Sequence, residues 1–359
     1  MFSLLKSLFF PNAKTRLLDG LSGVPRADAI FHNLVSENIV PGVSVSILKE
    51  GEMLLQKGYG YSNLEKKVLV HTKHSIFRIA SISKCITGLA FGKMVEEGIL
   101  HWDDSFYEYV PYYPKKQYDF TLRQLASHSA GIRTYRGKEF AQNRPLGIKE
   151  SIGVFKNDPL VFAPGKGYLY NSFDFVLLSL AMQEASNMAY EEYVKEKVLN
   201  PLGMNTTFTP FEISHSPGLR ISEFYSKKAS GFRKAVEVNN FYKLAGGGYL
   251  STSEDIAKMG QAILERRLLQ KETYDHLFLS QMVNKKSTYY GLGFQVSQDM
   301  LGRSFVGHVG NSVGAYTNFF VYPKEQVVIS ILINCTDPKV QNRLDEAIGS
   351  VNSVNNLGV

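Results

Sequence analysis

Ser81-Ile82-Ser83-Lys84 places a hydroxyl and an amine three residues apart. In an α-helix, positions i and i+3 share a face, so the two side chains can meet. A serine hydroxyl is a poor nucleophile until a base takes its proton, and a neutral lysine within reach can take it. The chemistry would be that of an acylating serine, for which S-x-x-K is a recognised spacing. Spacing alone decides little, because Ser3-Leu4-Leu5-Lys6 and Ser46-Ile47-Leu48-Lys49 repeat it. The latter lies in an alternating run, residues 43–49, that reads as a strand, where an offset of three puts side chains on opposite faces. The former sits at the extreme terminus, where ordered catalytic geometry is not expected. Around Ser81, apolar residues recur at helical spacing (Ile82, Cys85, Ile86, Leu89, Ala90, Met94, Val95) and Gly98 offers a stop. A helix over residues 82–97 is predicted.

An acyl-transfer site also needs a proton donor for the leaving group and N–H donors for the developing oxyanion. Tyr168-Leu169-Tyr170-Asn171-Ser172 follows Pro164-Gly165-Lys166-Gly167, which places it on a loop just before a helix. The stretch from Val306 to Gly314 reads as a strand edge whose small residues let a substrate backbone approach closely. Within it, Gly310-Asn311-Ser312-Val313-Gly314 also matches the G-x-S-x-G elbow, which requires a helix next and a histidine later in the chain. A strand-like run over 316–322 follows instead, and no histidine occurs after His308. A metal centre has little basis: there is no H-E-x-x-H, and His71-Thr72-Lys73-His74 lacks an evident third ligand. Gly246-Gly247-Gly248 lacks the Lys and Ser/Thr of a phosphate loop and reads as a close backbone approach before a capped helix.

These residues need a scaffold, and composition permits a substantial one. The chain has 359 residues, 44% hydrophobic and 20% charged, as in ordinary globular proteins. Its net charge of +7 comes from scattered residues with no basic stripe, which argues against nucleic-acid binding. The longest apolar run, residues 327–333, is far short of a transmembrane span. Two cysteines make no disulfide framework and suit a reducing compartment. Lys6, Lys14 and Arg16 precede any acid, and Leu4, Leu5, Leu8 and Phe9 could line one side of a short helix. That start reads either as a mitochondrial targeting segment or as the plain terminus of a cytosolic protein.

Strands are predicted over 43–48 and 53–59 around a Lys49-Glu50-Gly51-Glu52 turn, and over 304–309, 316–322 and 327–333 near the other end. Helices are predicted over 28–37 and 340–348 at the ends, and over 122–127, 173–186, 191–198 and 253–267 in the middle. The economical architecture is α/β (α+β). An antiparallel sheet built from residues 23–80 and 245–352 is flanked by N- and C-terminal helices and carries a mainly helical insertion, 81–244. Residues 1–22 would form a flexible or targeting terminus. A cleft for a small-molecule or peptide substrate is expected where sheet and insertion meet.

With these segments in order, the chain resembles the penicillin-binding-protein and class C β-lactamase-like serine hydrolases, most of all their eukaryotic mitochondrial branch. The likeness runs from about residue 41 to 334. It is carried by Phe77-Arg78-Ile79-Ala80-Ser81-Ile82-Ser83-Lys84, by Thr121-Leu122-Arg123-Gln124-Leu125-Ala126-Ser127-His128-Ser129-Ala130-Gly131-Ile132, and by Pro201-Leu202-Gly203-Met204. Later landmarks are Gly246-Gly247-Gly248-Tyr249-Leu250-Ser251-Thr252, Tyr290-Gly291-Leu292-Gly293 and Gly307-His308-Val309-Gly310. The resemblance implies an acyl-enzyme mechanism on a peptide, amide or ester, with no metal or organic cofactor. Ser81 would be nucleophile, Lys84 its base and Tyr170 a proton shuttle. His308 would bind a substrate carboxylate or support Tyr170, and the N–H groups of Ser81 and Asn311, beside Gly310, would form the oxyanion hole. A catalytically weak, self-assembling scaffold protein is the alternative, and a homo-oligomer is compatible with both.

Three positions depart from the family pattern. Ser172 stands third in the Tyr-x-Asn element with Asn171 one place early, Val309 replaces a threonine, and His308 stands where many relatives have lysine. To act as a base, Lys84 must lose its proton near neutrality, which burial and a nearby positive His308 or lysine could bring about. If it stays charged, Tyr170 would have to act as a phenolate.

Overall fold

The computed structural model describes residues 14–352. The Ser3–Lys6 copy of the spacing and the apolar side formed by Leu4, Leu5, Leu8 and Phe9 lie outside the described residues. Alternating runs at both ends build one antiparallel sheet from β1 (Gly42–Lys49), β2 (Glu52–Asn63), β3 (Val68–Leu69), β4 (Gln295–Gln298), β5 (Ser304–Ser312), β6 (Ala315–Tyr322) and β7 (Val327–Ile333). Their spatial order is β4-β5-β6-β7-β1-β2-β3. The two chain ends therefore meet at the β1–β7 ladder, in register from Val43 opposite Ile333 to Lys49 opposite Val327. The principal helices are α1 (Gly23–Ser36), α2 (Ser83–Glu96), α3 (Phe173–Ser186), α4 (Ser253–Leu264) and α5 (Gln341–Asn352).

The period of two along each strand divides the core. Val43, Val45 and Ile47 of β1 and Ile329, Ile331 and Ile333 of β7 pack with Ile30, Phe31 and Leu34 of α1 and Leu344, Ala347 and Ile348 of α5. Phe319, Val321, Val328 and Leu332 face the other way, into a larger cluster with α2, α3 and α4. On that side Ser44 and Ser46 meet the Ser253 hydroxyl at 2.7 and 2.9 Å, seating the start of α4 on β1. β7 is buried along its whole length because both faces are covered, which is why it reads as an unbroken apolar run.

Within the long stretch between β3 and β4, Phe77–Arg78 pairs with Leu250–Ser251 in a separate two-stranded ladder. α2 is buried from Ser83 to Gly92 and α3 from Phe173 to Met182, so these two helices run through the interior of the larger cluster. The stretch also holds a hairpin, Tyr225–Lys228 with Gly231–Lys234, that pairs in parallel with Cys335–Thr336. The helix predicted over 191–198 divides into Tyr190–Val194 and a single π turn, Lys195–Leu199. Both cysteines are free and buried. No helix among the described residues is long and apolar enough to cross a membrane.

Candidate active site

Ser81 does not sit within a regular α-helix but on a 3₁₀ turn, Ala80–Ile82, that leads into α2. Ala80 adopts a left-handed conformation (φ +48°), a costly state for a residue with a Cβ that neighbouring contacts must hold in place. Those contacts are visible. Ser83 Oγ donates to Ala80 O at 2.7 Å, Thr317 Oγ1 of β6 donates to Ile79 O at 3.1 Å, and Ile79 N donates to Tyr249 O at 3.1 Å. Gly310 of β5 lies directly against this turn. A Cβ there would stand 2.3 Å from Thr317 Oγ1 and 3.0 Å from Ala80 Cβ. Glycine is required because the sheet edge and the serine turn touch.

Lys84 enters from the first turn of α2 with its Nζ 3.4 Å from Ser81 Oγ. Its shorter bond, 2.6 Å, goes to the carbonyl of Gly246, so the glycine run read as a close backbone approach supplies the amine's anchor. The side chain is 0% exposed. Burial, and after it the charge of Lys243, brings its pKa down to about 7, while Asp174 pulls weakly the other way. An amine with that pKa is half unprotonated at neutral pH and can accept a proton.

Tyr170 donates its phenol to Ser81 Oγ at 2.7 Å. The residue is 37% exposed, so the site opens to solvent on this side. The crowded surroundings raise the phenol pKa above its ordinary value, and the Ser81 contact only partly offsets that rise. The neighbour Asn171 points inward. Its Nδ2 donates to Asp174 Oδ2 at 2.7 Å and its Oδ1 accepts from Asp174 N at 2.8 Å, so its amide belongs to the start of α3 and not to the cleft. Behind Tyr170 lies His128 (φ +61°), its ring centre 4.6 Å from that of Tyr170. His128 Nδ1 is 2.9 Å from Asp174 Oδ2, and its carbonyl accepts from Leu169 N at 2.9 Å. Burial pushes the carboxyl up and the imidazole down, both toward their neutral forms.

His308 is brought to the same centre, with its ring 5.7 Å from that of Tyr170. It is 1% exposed, and both its nitrogens are engaged. Nδ1 donates to Val309 O at 2.7 Å, which leaves Nε2 to accept from Tyr290 OH at 3.1 Å. Burial, then the nearby Lys84, depresses its pKa to about 3. The ring therefore stays uncharged near neutrality, unlike the pH-dependent cation expected from an exposed histidine, and has no nitrogen free for a carboxylate. Val309 turns its side chain to the α1/α5 cluster on the opposite face. Its N–H donates to Gln295 Oε1 at 3.0 Å, beyond the point where β4 stops pairing with β5 at Gly307. By strand alternation the N–H of exposed Asn311 points to that same free edge. Ser172, half-buried, begins α3 with no capping bond, and a Cβ on Gly246 would stand 3.1 Å from its Cβ.

The structure thus gathers Ser81, Lys84, Tyr170, His308 and Gly310 at one place, with Ser172 and Asn311 at its edges. Sequence reasoning did not assign the Gly246 carbonyl, Tyr290, Lys243 or the His128–Asp174 pair. His128 and Tyr290 lie within the quoted landmarks, but only their contacts across the fold show what they touch. Among the described residues no three His, Cys, Asp or Glu side chains converge as a metal would require, and His71 and His74 stack on each other at 4.4 Å.

Fold and site point to one class of protein, and comparison with known families agrees: the chain belongs to the Beta-lactamase family, whose model matches residues 27–353. Among individual proteins, it is similar to the serine beta-lactamase-like protein LACTB, mitochondrial, of Homo sapiens. The two are 27% identical over 394 residues, covering 82% of this chain and 71% of that protein. An octameric penicillin-binding protein homologue from Pyrococcus abyssi superposes with a TM-score of 0.78 at 27% identity, over 92% of this chain and 78% of that one. D-amino acid amidase from Ochrobactrum anthropi SV3 reaches a TM-score of 0.79 at 19% identity, over 92% and 98%, a likeness of fold.

Proposed function

We propose that this protein is a serine hydrolase that works through an acyl-enzyme on a peptide, amide or ester. The observation that carries the reading is the Ser81 hydroxyl held between a phenol at 2.7 Å and a buried amine at 3.4 Å whose pKa is about 7. Neutral Lys84 takes the Ser81 proton as Oγ bonds to the acyl carbon, and the carbonyl electron pair moves onto oxygen. The N–H groups of Ser81 and Asn311 receive that oxyanion. As it collapses, the bond to the leaving group breaks, and Tyr170 gives the departing atom a proton that Lys84 then replaces. Water repeats the sequence on the ester and regenerates Ser81. The raised pKa of Tyr170 argues for a phenol rather than a phenolate, and so for Lys84 as the base. His308, neutral and bound to Tyr290, supports Tyr170 rather than binding a carboxylate.

A second reading is a catalytically weak member that serves as a scaffold, and the uncharged His308, Val309 and Ser172 favour it by thinning the polar contacts a substrate would find. Turnover of a panel of aryl esters and amino acid amides by wild type and Ser81→Ala separates the two. Turnover by the wild type that is lost in Ser81→Ala supports the hydrolase; equal rates in both proteins would remove Ser81 from the chemistry. By analogy with the human relative and with the octameric homologue, we further propose a mitochondrial location and self-association.

A further inference from the structure

A substrate chain lying in the cleft would pair with the open edge of β5, and two side chains close part of that edge. On β5 every second residue turns its N–H and C=O away from β6. Those residues are Gly307, Val309 and Asn311, since Val309 N–H reaches Gln295 and not β6. Gly307 is covered by β4 as the partner of Gln295. Val309 lies beyond the end of that ladder, yet both its groups are taken by side chains. Its N–H donates to Gln295 Oε1 at 3.0 Å, and its C=O accepts from His308 Nδ1 at 2.7 Å. Exposed Asn311 comes next, and the mechanism gives its N–H to the oxyanion.

Tyr170 fixes which side of the scissile bond this closed edge serves. The phenol that protonates the leaving group donates to Ser81 Oγ at 2.7 Å, and its ring centre lies 5.7 Å from that of His308 and 6.0 Å from that of Tyr290. The leaving group therefore departs over His308 and Val309, while the acyl chain runs the other way, past Asn311. The groups on the departing side are phenols and a committed imidazole. Tyr290 OH and His308 Nε2 bond to each other at 3.1 Å, and His308 Nδ1 is held on Val309 O, so the ring has no nitrogen left for a carboxylate. Lys84 is bound to Gly246 O at 2.6 Å and serves Ser81 as its base. A peptide continuing past the scissile bond would leave its own N–H and C=O groups unpaired there, and a terminal carboxylate would leave a charge unpaired.

We propose that this site selects its substrate on the leaving-group side: it releases a small, uncharged amine or alcohol from an amide or ester, and Gln295 and His308 set that limit by closing both edge groups of Val309. In the step concerned, Ser81 Oγ bonds to the acyl carbon, the bond from that carbon to nitrogen or oxygen breaks, and the departing atom takes the Tyr170 proton. Water then releases the acid from Ser81. Gln295 is the specificity determinant that can be removed without touching the reacting groups, since it meets the strand edge and neither Ser81, Lys84 nor Tyr170.

This inference rests on the reading of Ser81 as the nucleophile of an acyl-enzyme. Its test holds the acyl group fixed and varies what leaves. N-acetyl-alanine, N-acetyl-leucine and N-acetyl-phenylalanine are each offered as the methyl ester, as the ester of glycolyl-glycine amide and as the ester of glycolic acid with its carboxylate free. In the wild type, kcat/KM is expected to be higher for the methyl ester than for either extended ester by about tenfold or more, the scale of unpaired polar groups. In Gln295→Ala the freed Val309 N–H can pair with the glycolyl-glycine amide, and the preference over that ester should narrow by about 3- to 10-fold, the scale of one hydrogen bond. Each ratio is taken within one protein, so a loss of folded fraction cancels. A wild type that turns over the extended esters as well as the methyl ester would overturn the proposal, and so would a preference unchanged in Gln295→Ala. Absence of turnover on all three esters, or equal rates in Ser81→Ala, would instead overturn the hydrolase reading beneath it, so the two failures are distinguishable.

Discussion

Replacing Lys84 with methionine should trade activity for stability in a pH-dependent way. In the folded protein its amine titrates near 7, against an ordinary value of 10.5, because burial and Lys243 oppose its charge. At ~1.36 kcal/mol per pH unit, holding the charged form inside the fold costs on the order of 4 to 5 kcal/mol. Between those two values the unfolded chain keeps the proton and the folded chain releases it, so wild-type stability rises with pH across the window. The penalty is complete below about 7 and gone above 10.5. Methionine removes it but strands the Gly246 carbonyl, at about 1 to 3 kcal/mol. Lys84→Met should therefore be the more stable protein at and below neutrality, and its advantage should shrink and reverse as pH rises toward 10.5. Urea midpoints followed by the fluorescence of the single tryptophan, Trp102, would measure this. Acylation by an activated ester should meanwhile fall by about 10²-fold or more, the scale of general-base catalysis. A stability difference that stays flat across the window would refute the buried, discharged amine.

Three further outcomes follow from the same geometry. Tyr170→Phe should slow amide turnover by about 10² to 10³-fold and aryl-ester turnover much less, because only the amine leaving group needs the proton; equal losses on both would remove the shuttle role. Gly310→Ala should lower the unfolding midpoint, by about 1 to 3 kcal/mol of overpacking, and slow labelling, since its Cβ would meet Thr317 Oγ1 at 2.3 Å and press on Ala80. Asn171→Ala should destabilise by about 1 to 3 kcal/mol through loss of its bonds to Asp174, with KM for small esters nearly unchanged, as its amide faces away from the cleft.

Much of this arrangement can be read from residue types and spacing, and the remainder has physical reasons for being hidden. Helical periodicity after Ser81 locates α2 to within a residue or two, and the alternation in β1, β6 and β7 gives the sheet its two faces. β4 escapes because Gln295–Gln298 is short and mostly polar, and only its pairing with β5 makes it a strand. The insertion's hairpin is legible only through its partner, Cys335–Thr336. Ser81 and Lys84 are local in sequence and so are visible. The Gly246 carbonyl lies 162 residues from Lys84, and His128 lies 46 from Asp174, so those contacts depend on the whole fold. The protonation of His308 could not be read from its type, because it is set by burial and by the nearby Lys84.

The most direct test is to incubate the protein with a fluorophosphonate, digest it and locate the added mass by fragmentation. The account expects one adduct, on the hydroxyl of Ser81, formed faster as pH rises through about 7 and absent from Ser81→Ala. An adduct on another residue, or equal labelling of the alanine variant, would contradict it.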